Sequence, residues 1–242
     1  MTDATGAAKA AAARHAVRTY LTPGLRLALG TGSTAELAVR AIRDRYPDAA
    51  FDCVASSGAT ERLARELGLG VRPLRGEDRF DLLFDGADEV APNLDLTKGG
   101  GGALLKEKLL ARLSARRVIV VDGSKLVPRL GTRAPIPVEV VPFARPVLER
   151  ELGEAGLRPA LRTGSAGAAY RTENGNEILD LRPSAPVARP AELDRELRDH
   201  VGVVETGLFV GLADRVVVGA PDGAVRELEA GALPRSGRAD RG

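Results

Sequence analysis

Leu25-Arg-Leu-Ala-Leu-Gly-Thr-Gly-Ser-Thr34 decides the fold class. A short apolar run, residues 25–29, stops at a Gly-Thr-Gly turn, and a helix-like segment then runs to about Arg45. The pattern recurs along the chain. Residues 51–55 stop at Ser56-Ser-Gly58 before the helix-like residues 59–67. Residues 80–84 stop at Asp85-Gly-Ala-Asp88, and residues 118–121 stop at Asp122-Gly-Ser-Lys125. An Ala-rich helix over residues 5–20 precedes the first strand and is closed by Pro23-Gly24. Leu104, Leu105, Leu109 and Leu110 give residues 103–113 helical spacing. Short apolar strands alternating with helices predict an α/β fold built on a doubly wound, mostly parallel sheet. Such sheets bind ligands beyond the carboxyl ends of their strands, where each of these motifs begins.

The pattern shifts after Thr132. Residues 135–142 and 157–162 read as strands with a helix over 145–152 between them. Asn174-Gly175 marks a turn before a strand over 177–181, and residues 190–199 read as a helix. This order predicts a small α+β domain, residues 133–206, inserted into a main domain made of residues 1–132 and 207–233. Strands over 215–218 and 224–228, joined by Pro221-Asp-Gly223, return to the main domain, and a tail over 234–242 is expected to be disordered.

Composition narrows the chemistry. The 242 residues carry a net charge of +2 with both signs interspersed, and only 3% are aromatic, which argues against nucleic-acid binding. No apolar run is long enough to span a membrane, and the Ala-rich opening lacks the apolar block of a signal peptide, so a cytoplasmic protein is expected. The single Cys53 cannot form an internal disulfide and sits in a strand-like run as a buried thiol. Two histidines, His15 and His200, both lie in helices away from any Gly-rich turn, which disfavours a His-based triad or metal site. Of 35 basic residues only five are lysines, and four of them (Lys98, Lys106, Lys108 and Lys125) fall in one short stretch. Some of those positions are expected to need an ammonium, while Lys106 and Lys108 read as ordinary helix surface.

Gly30-Thr-Gly-Ser-Thr34 suits an anion, because glycines admit it to the backbone and Ser33 and Thr34 offer hydroxyls beside free helix N–H groups. Ala35 stands where a dinucleotide fingerprint would need its third glycine. Lys98-Gly-Gly-Gly-Gly102 is more specific. Four glycines are entropically costly and fit a backbone that must wrap closely around a ligand. Glu107 follows about a turn and a half into the next helix, placed as a general base whose pKa burial would raise. Asp85 and Asp88 follow an apolar strand, fitted either to proton transfer and sugar hydroxyls or, with Glu89, to a divalent cation. No further ligand cluster accompanies them. Ser56-Ser-Gly-Ala-Thr60 offers hydroxyls or a helix cap and stays outside the predicted site.

These motifs resemble the A-type ribose-5-phosphate isomerases. The resemblance runs in order through Gly30-Thr-Gly-Ser-Thr-Ala35, Ser56-Ser-Gly-Ala-Thr60, Asp85-Gly-Ala-Asp-Glu89, Lys98-Gly-Gly-Gly101, Glu107-Lys108 and Asp122-Gly-Ser-Lys125. It continues through Pro137-Val-Glu-Val140, Asn174-Gly-Asn176, Gly207-Leu-Phe209 and Pro221-Asp-Gly223. It implies a Rossmann-like domain carrying a smaller ferredoxin-like α+β domain, assembled as a homodimer or homotetramer. It also implies interconversion of ribose 5-phosphate and ribulose 5-phosphate without metal or organic cofactor. By motif, Thr31, Gly32, Ser33, Thr34, Asp85, Gly86, Ala87, Asp88, Lys98, Gly99, Gly100, Gly101 and Lys125 bind substrate. Glu107 matches the proton acceptor. In the expected mechanism Asp85 moves the ring-opening proton, its share with Asp88 left open, and Lys98 stabilises the developing oxyanion. The family often carries a phosphate-assisting lysine early in the first helix; Lys9 is the candidate here, left off the predicted site because its register is unfixed. A non-catalytic sugar-phosphate sensor is the main rival, but it would need no base. An amino-sugar-phosphate deaminase or a lactonase would be expected to use a histidine near the site.

Overall fold

The computed structural model describes residues 3–164 and 167–229. The tail predicted over 234–242 lies outside the described residues. In chain order the first half comprises α1 (Asp3–Tyr20), β1 (Arg26–Leu29), α2 (Ser33–Arg45), β2 (Asp52–Ala55), α3 (Gly58–Glu66), β3 (Gly70–Val71) and β4 (Phe80–Asp85). Two short strands follow, β5 (Glu89–Val90) and β6 (Leu96–Thr97), then α4 (Leu104–Leu113) and β7 (Ser114–Asp122). The remainder holds β8 (Ile136–Val140), α5 (Arg145–Glu154), β9 (Pro159–Leu161), β10 (Glu177–Leu181), α6 (Pro190–Asp199) and β11 (Val203–Thr206). The described chain closes with β12 (Leu208–Phe209), β13 (Arg215–Gly219) and β14 (Val225–Glu229).

Seven strands form the main sheet in the order β14-β13-β7-β4-β1-β2-β3, all parallel except β14. Alternate residues of each strand face opposite sides, which makes three layers. Leu27, Leu29, Cys53, Leu82 and Phe84 pack with Ala12, Ala16, Val39 and Ile42 of α1 and α2. On the opposite face Ala28, Val54 and Leu83 meet Leu110 and Ala111 of α4. The chain reverses its winding between β1 and β4, so the loops after those strands meet at the sheet's switch point.

The alanines of α1 have a steric purpose. Ala8, Ala12, Ala13 and Ala16 are buried, and the helix lies so close to β13 that a Cβ on Gly219 would strike the Ala8 backbone oxygen. Gly219→Ala is therefore expected to destabilise the protein by about 1–3 kcal/mol through overpacking, read as a lower urea midpoint. An unchanged midpoint would mean that α1 can back away freely.

A second sheet, in the order β11-β8-β10-β9, is antiparallel throughout and is built wholly from residues between Ile136 and Thr206. With α5 and α6 it gives a βαββαβ sequence, the ferredoxin-like arrangement, around its own core of Ile136, Val138, Leu148, Leu152, Leu179, Leu181 and Leu197. A third sheet, β12-β6-β5, covers Ile119, Val121, Val216 and Val218 with Leu96 and Phe209. The sequence reading lacks this sheet, because two-residue strands show no periodicity. It also lacks β11, whose pairing with β8 shifts register between Val203 and Glu205.

Candidate active site

One cavity of about 150 Å³ opens at the carboxyl ends of β1, β4 and β7. It is lined by the predicted Thr31, Gly32, Ser33, Thr34, Gly86, Ala87, Asp88, Lys98, Gly99, Gly100, Gly101, Glu107 and Lys125, joined by Lys9 and Val121. Lys9 was within reach of sequence reasoning, but only the packing of α1 fixes its direction. Its ammonium stands 3.7 Å from the Asp122 carboxylate at the cavity edge. Burial alone would raise Asp122; hydrogen bonds from Ser124 and the charges of Lys9 and Lys125 hold it below the usual carboxylate range.

One end of the cavity is built from the β1–α2 turn. Gly32 caps α2 at φ 86°, a left-handed conformation that favours glycine, and leaves Ser33 and Thr34 at the start of a 13-residue helix. Thr31 Oγ1 lies 2.6 Å from Ser56 Oγ, which ties the turn to the next strand. The rest of the Ser56–Thr60 motif serves the fold, since Ser57 caps α3 by accepting from the Thr60 N–H.

The chemical end is a buried charge cluster. Lys98 Nζ donates to the Gly86 carbonyl at 2.8 Å and lies 2.9 Å from Asp85 Oδ2 and 3.2 Å from Glu107 Oε1. Lys98 is 4% exposed, Glu107 4% and Asp85 1%, so one ammonium is shut in with two carboxylates. Burial pushes Glu107 up to about 8 against the pull of Lys98, and the nearby Asp85 charge adds to the rise. Burial also pushes Asp85 up, opposed by Lys98 and by the N–H groups of Gly86 and Thr31. For Lys98 burial favours the neutral amine, yet the two carboxylates outweigh it and hold the ammonium. Glu107 is thus no solvated helix residue. It is a buried carboxyl at the cavity wall whose pKa is raised to about 8.

The two aspartates after β4 part company. Asp88 lines the cavity and accepts from the Gly100 N–H at 2.8 Å. Asp85 does not line it. Its Oδ1 accepts from the Gly86 and Thr31 N–H groups behind the wall, where a Cβ on Gly30 would collide with it. Glu89 is engaged elsewhere, accepting from the N–H groups of Gly131, Arg133 and Ala134. Among the described residues no group of three or more His, Cys, Asp or Glu side chains is arranged to hold a metal ion. Both histidines face away from the cavity, His15 toward Glu227 and His200 toward Glu151.

One sequence expectation is overturned. Lys108 is not helix surface but 2% exposed, with Nζ 2.7 Å from Glu205 Oε1 and 3.4 Å from Asp194 Oδ1. It ties the helix of Glu107 to the second sheet, and the Phe209 ring lies within 5.1 Å of its ammonium and 5.5 Å of that of Lys98. Lys106 is half-exposed and pairs with Glu173. Sequence reasoning also missed Arg162, just after β9, and Tyr170, in the β9–β10 connection, which reach the glycine loop. Their sequence separation of more than sixty residues gave no signal.

The family model of ribose 5-phosphate isomerase A (phosphoriboisomerase A) matches residues 52–223. Ribose-5-phosphate isomerase A of Thermomicrobium roseum is 48% identical over 224 residues, covering 92% of this chain and 93% of its own length. That of Chloroflexus aurantiacus is 44% identical over 225 residues, with the same shares covered. Among solved structures, ribose 5-phosphate isomerase A of Methanocaldococcus jannaschii superposes with a TM-score of 0.85 at 37% identity, covering 91% of this chain and 97% of that one. A D-ribose-5-phosphate isomerase in complex with phospho-erythronic acid superposes at 0.87 and 33% identity, covering 93% and 99%. An α/β chain with a buried glutamate and a glycine loop at one cavity, related to these proteins over nearly its whole length, belongs to the ribose 5-phosphate isomerase A family.

Proposed function

We propose that this protein interconverts ribose 5-phosphate and ribulose 5-phosphate through a cis-enediolate, with Glu107 carrying the proton between C2 and C1. The observation that carries the reading is the Glu107 carboxyl itself, buried at the cavity wall, 3.2 Å from the Lys98 ammonium and with its pKa raised to about 8. The substrate phosphate sits at the start of α2 against Thr31, Gly32, Ser33 and Thr34, with Lys9 and Lys125 supplying two positive charges for the dianion. Holding the phosphate fixes the reacting carbons, so remote binding energy assists the chemical step. Of the two aspartates Asp88 lines the cavity, and it moves the ring-opening proton in place of the expected Asp85. Asp85, set behind the wall, keeps Lys98 charged and aimed, and Lys98 stabilises the enediolate oxygen. The residues need no metal or organic cofactor for these steps.

A coupled assay converting ribose 5-phosphate to ribulose 5-phosphate, with and without chelator, tests the reading. Absence of turnover rejects it, and loss of turnover with chelator rejects the metal-free route. The pH profile tests the base. Only the ionised carboxylate abstracts a proton, so kcat/KM is expected to fall about tenfold per pH unit below 8 and to level off above it. A profile flat from pH 6 to 9 would remove Glu107 from that role.

We propose further that residues 133–206 form a small domain on the main one, and that the enzyme works in the cytoplasm as a homodimer or homotetramer. No described helix is long and apolar enough to cross a membrane. Val141, Phe143, Val147 and Val201 form an exposed apolar patch on the second sheet's helices and turns, with Phe143 96% and Val201 94% exposed. A face of this kind suits a second copy, and light scattering reads the mass directly.

A further inference from the structure

The loop Gly99-Gly-Gly-Gly102 is held from outside by the second sheet. Arg162, at the end of β9, is anchored by a two-pronged pair to Asp180 on β10, with Nε 2.9 Å from Oδ2 and Nη2 2.5 Å from Oδ1. Its remaining Nη1 donates to the Gly99 carbonyl at 2.8 Å and to the Gly100 carbonyl at 3.2 Å. Tyr170, whose ring lies 5.9 Å from the guanidinium, donates its hydroxyl to the Gly101 carbonyl at 3.4 Å. Three consecutive carbonyls thus point away from the cavity.

In a trans peptide the next N–H points opposite to the carbonyl. The Gly99–Gly100 peptide demonstrates the consequence. Its carbonyl takes Arg162 while its N–H bonds Asp88 at the cavity wall. The Gly100–Gly101 peptide takes the same guanidinium, so the Gly101 N–H is turned the same way, toward a cavity that Gly101 lines. Among the described residues this N–H has no partner within the chain. The Gly102 N–H closes a turn on the Gly99 carbonyl at 2.9 Å, but the glycine backbone between them is the freest of any residue, and the Arg162 contact restricts it further.

We infer that Arg162, seconded by Tyr170, is a positioning residue that fixes the Gly101 N–H as a donor for the enediolate oxygen. The inference rests on the isomerase reading above. Arginine is required because only its planar fork can grip a carboxylate and two carbonyls together. The phosphate end is carried by other elements, α1, α2 and the turn after β7, although Thr31 lies beside Gly101.

Calorimetric binding of two probes tests this without relying on turnover. Phospho-erythronic acid carries both a phosphate and a planar carboxylate that resembles the enediolate, whereas inorganic phosphate engages the anion end alone. Arg162→Met is expected to weaken phospho-erythronic acid about 10- to 100-fold while changing phosphate less than twofold, since small misplacements at a reacting centre cost this much. The kcat for ribose 5-phosphate should fall in step with little change in KM, and Arg162→Lys should lie between. Tyr170→Phe should weaken phospho-erythronic acid a few-fold, and with Arg162→Lys it carries the test if the Met variant does not fold. Unchanged affinity for phospho-erythronic acid overturns the inference. Equal weakening of both probes also overturns it, because that is general loosening of the site. Failure of the wild-type protein to turn over ribose 5-phosphate is a separate result that rejects the isomerase reading instead.

Discussion

Glu107→Gln is expected to lower kcat about 10²- to 10⁴-fold while leaving a protein that is more stable than the wild type at pH 9. The loss follows from removing a cavity-lining carboxylate fixed against the Lys98 ammonium; the gain in stability follows from its pKa. In the folded protein Glu107 titrates near 8, against an ordinary value of 4.5. A carboxyl raised on folding binds its proton more tightly in the native state. Its contribution is therefore fully present below pH 4.5 and is lost progressively as the pH rises to about 8. Glutamine is neutral throughout and escapes that loss, which is on the order of a few kcal/mol for a shift of this size. The Tm difference between variant and wild type should widen from pH 5 to 8 and then stay constant. If the variant is instead the less stable protein at pH 9, Lys98 stabilises the Glu107 anion more than burial penalises it.

Lys98→Met should have the opposite effect on stability. It leaves the Asp85 and Glu107 carboxyls confined without their cation, and removing one partner from such a buried group costs about 3–5 kcal/mol. Protonation relieves the repulsion, so the cost should be largest at pH 8.5 and smaller at pH 5, as read by urea unfolding at both. Equal losses at the two pH values would point to a packing defect rather than to charge. Turnover should fall about 10²- to 10³-fold with the oxyanion partner gone. Lys98→Arg should not restore it, because the Gly86 carbonyl, two carboxylates and the Phe209 ring converge on one ammonium nitrogen, which a planar guanidinium does not reproduce.

Much of this architecture is local and therefore legible along the chain. The strands that carry the site have apolar runs at the parallel-strand length, and each ends in small or acidic residues whose chemistry is visible without a structure. That is why Thr31, Ser33, Lys98 and Glu107 could be named as a set before their distances were known. The small residues needed at Gly32 and in the Gly99–Gly102 loop leave the same kind of local mark.

What the linear order could not contain is which carboxylate meets which cation. Asp85 and Asp88 stand three residues apart on one strand end, yet the turn sends Asp85 behind the wall to Lys98 and Asp88 into the cavity. Lys106 and Lys108 look alike in the helix pattern, but the second sheet packs over only one of them and buries it against Asp194 and Glu205. Lys9 joins the site because alanines let α1 approach β13 closely enough to aim it. Arg162 reaches Gly99 and Gly100 across more than sixty residues of chain. The sequence by itself determined the doubly wound fold and the residue types of the active site, because strand periodicity and turn chemistry are short-range properties. Only the tertiary structure decided the charge partners and the pKa of Glu107, because burial and through-space charge depend on residues brought together from distant parts of the chain.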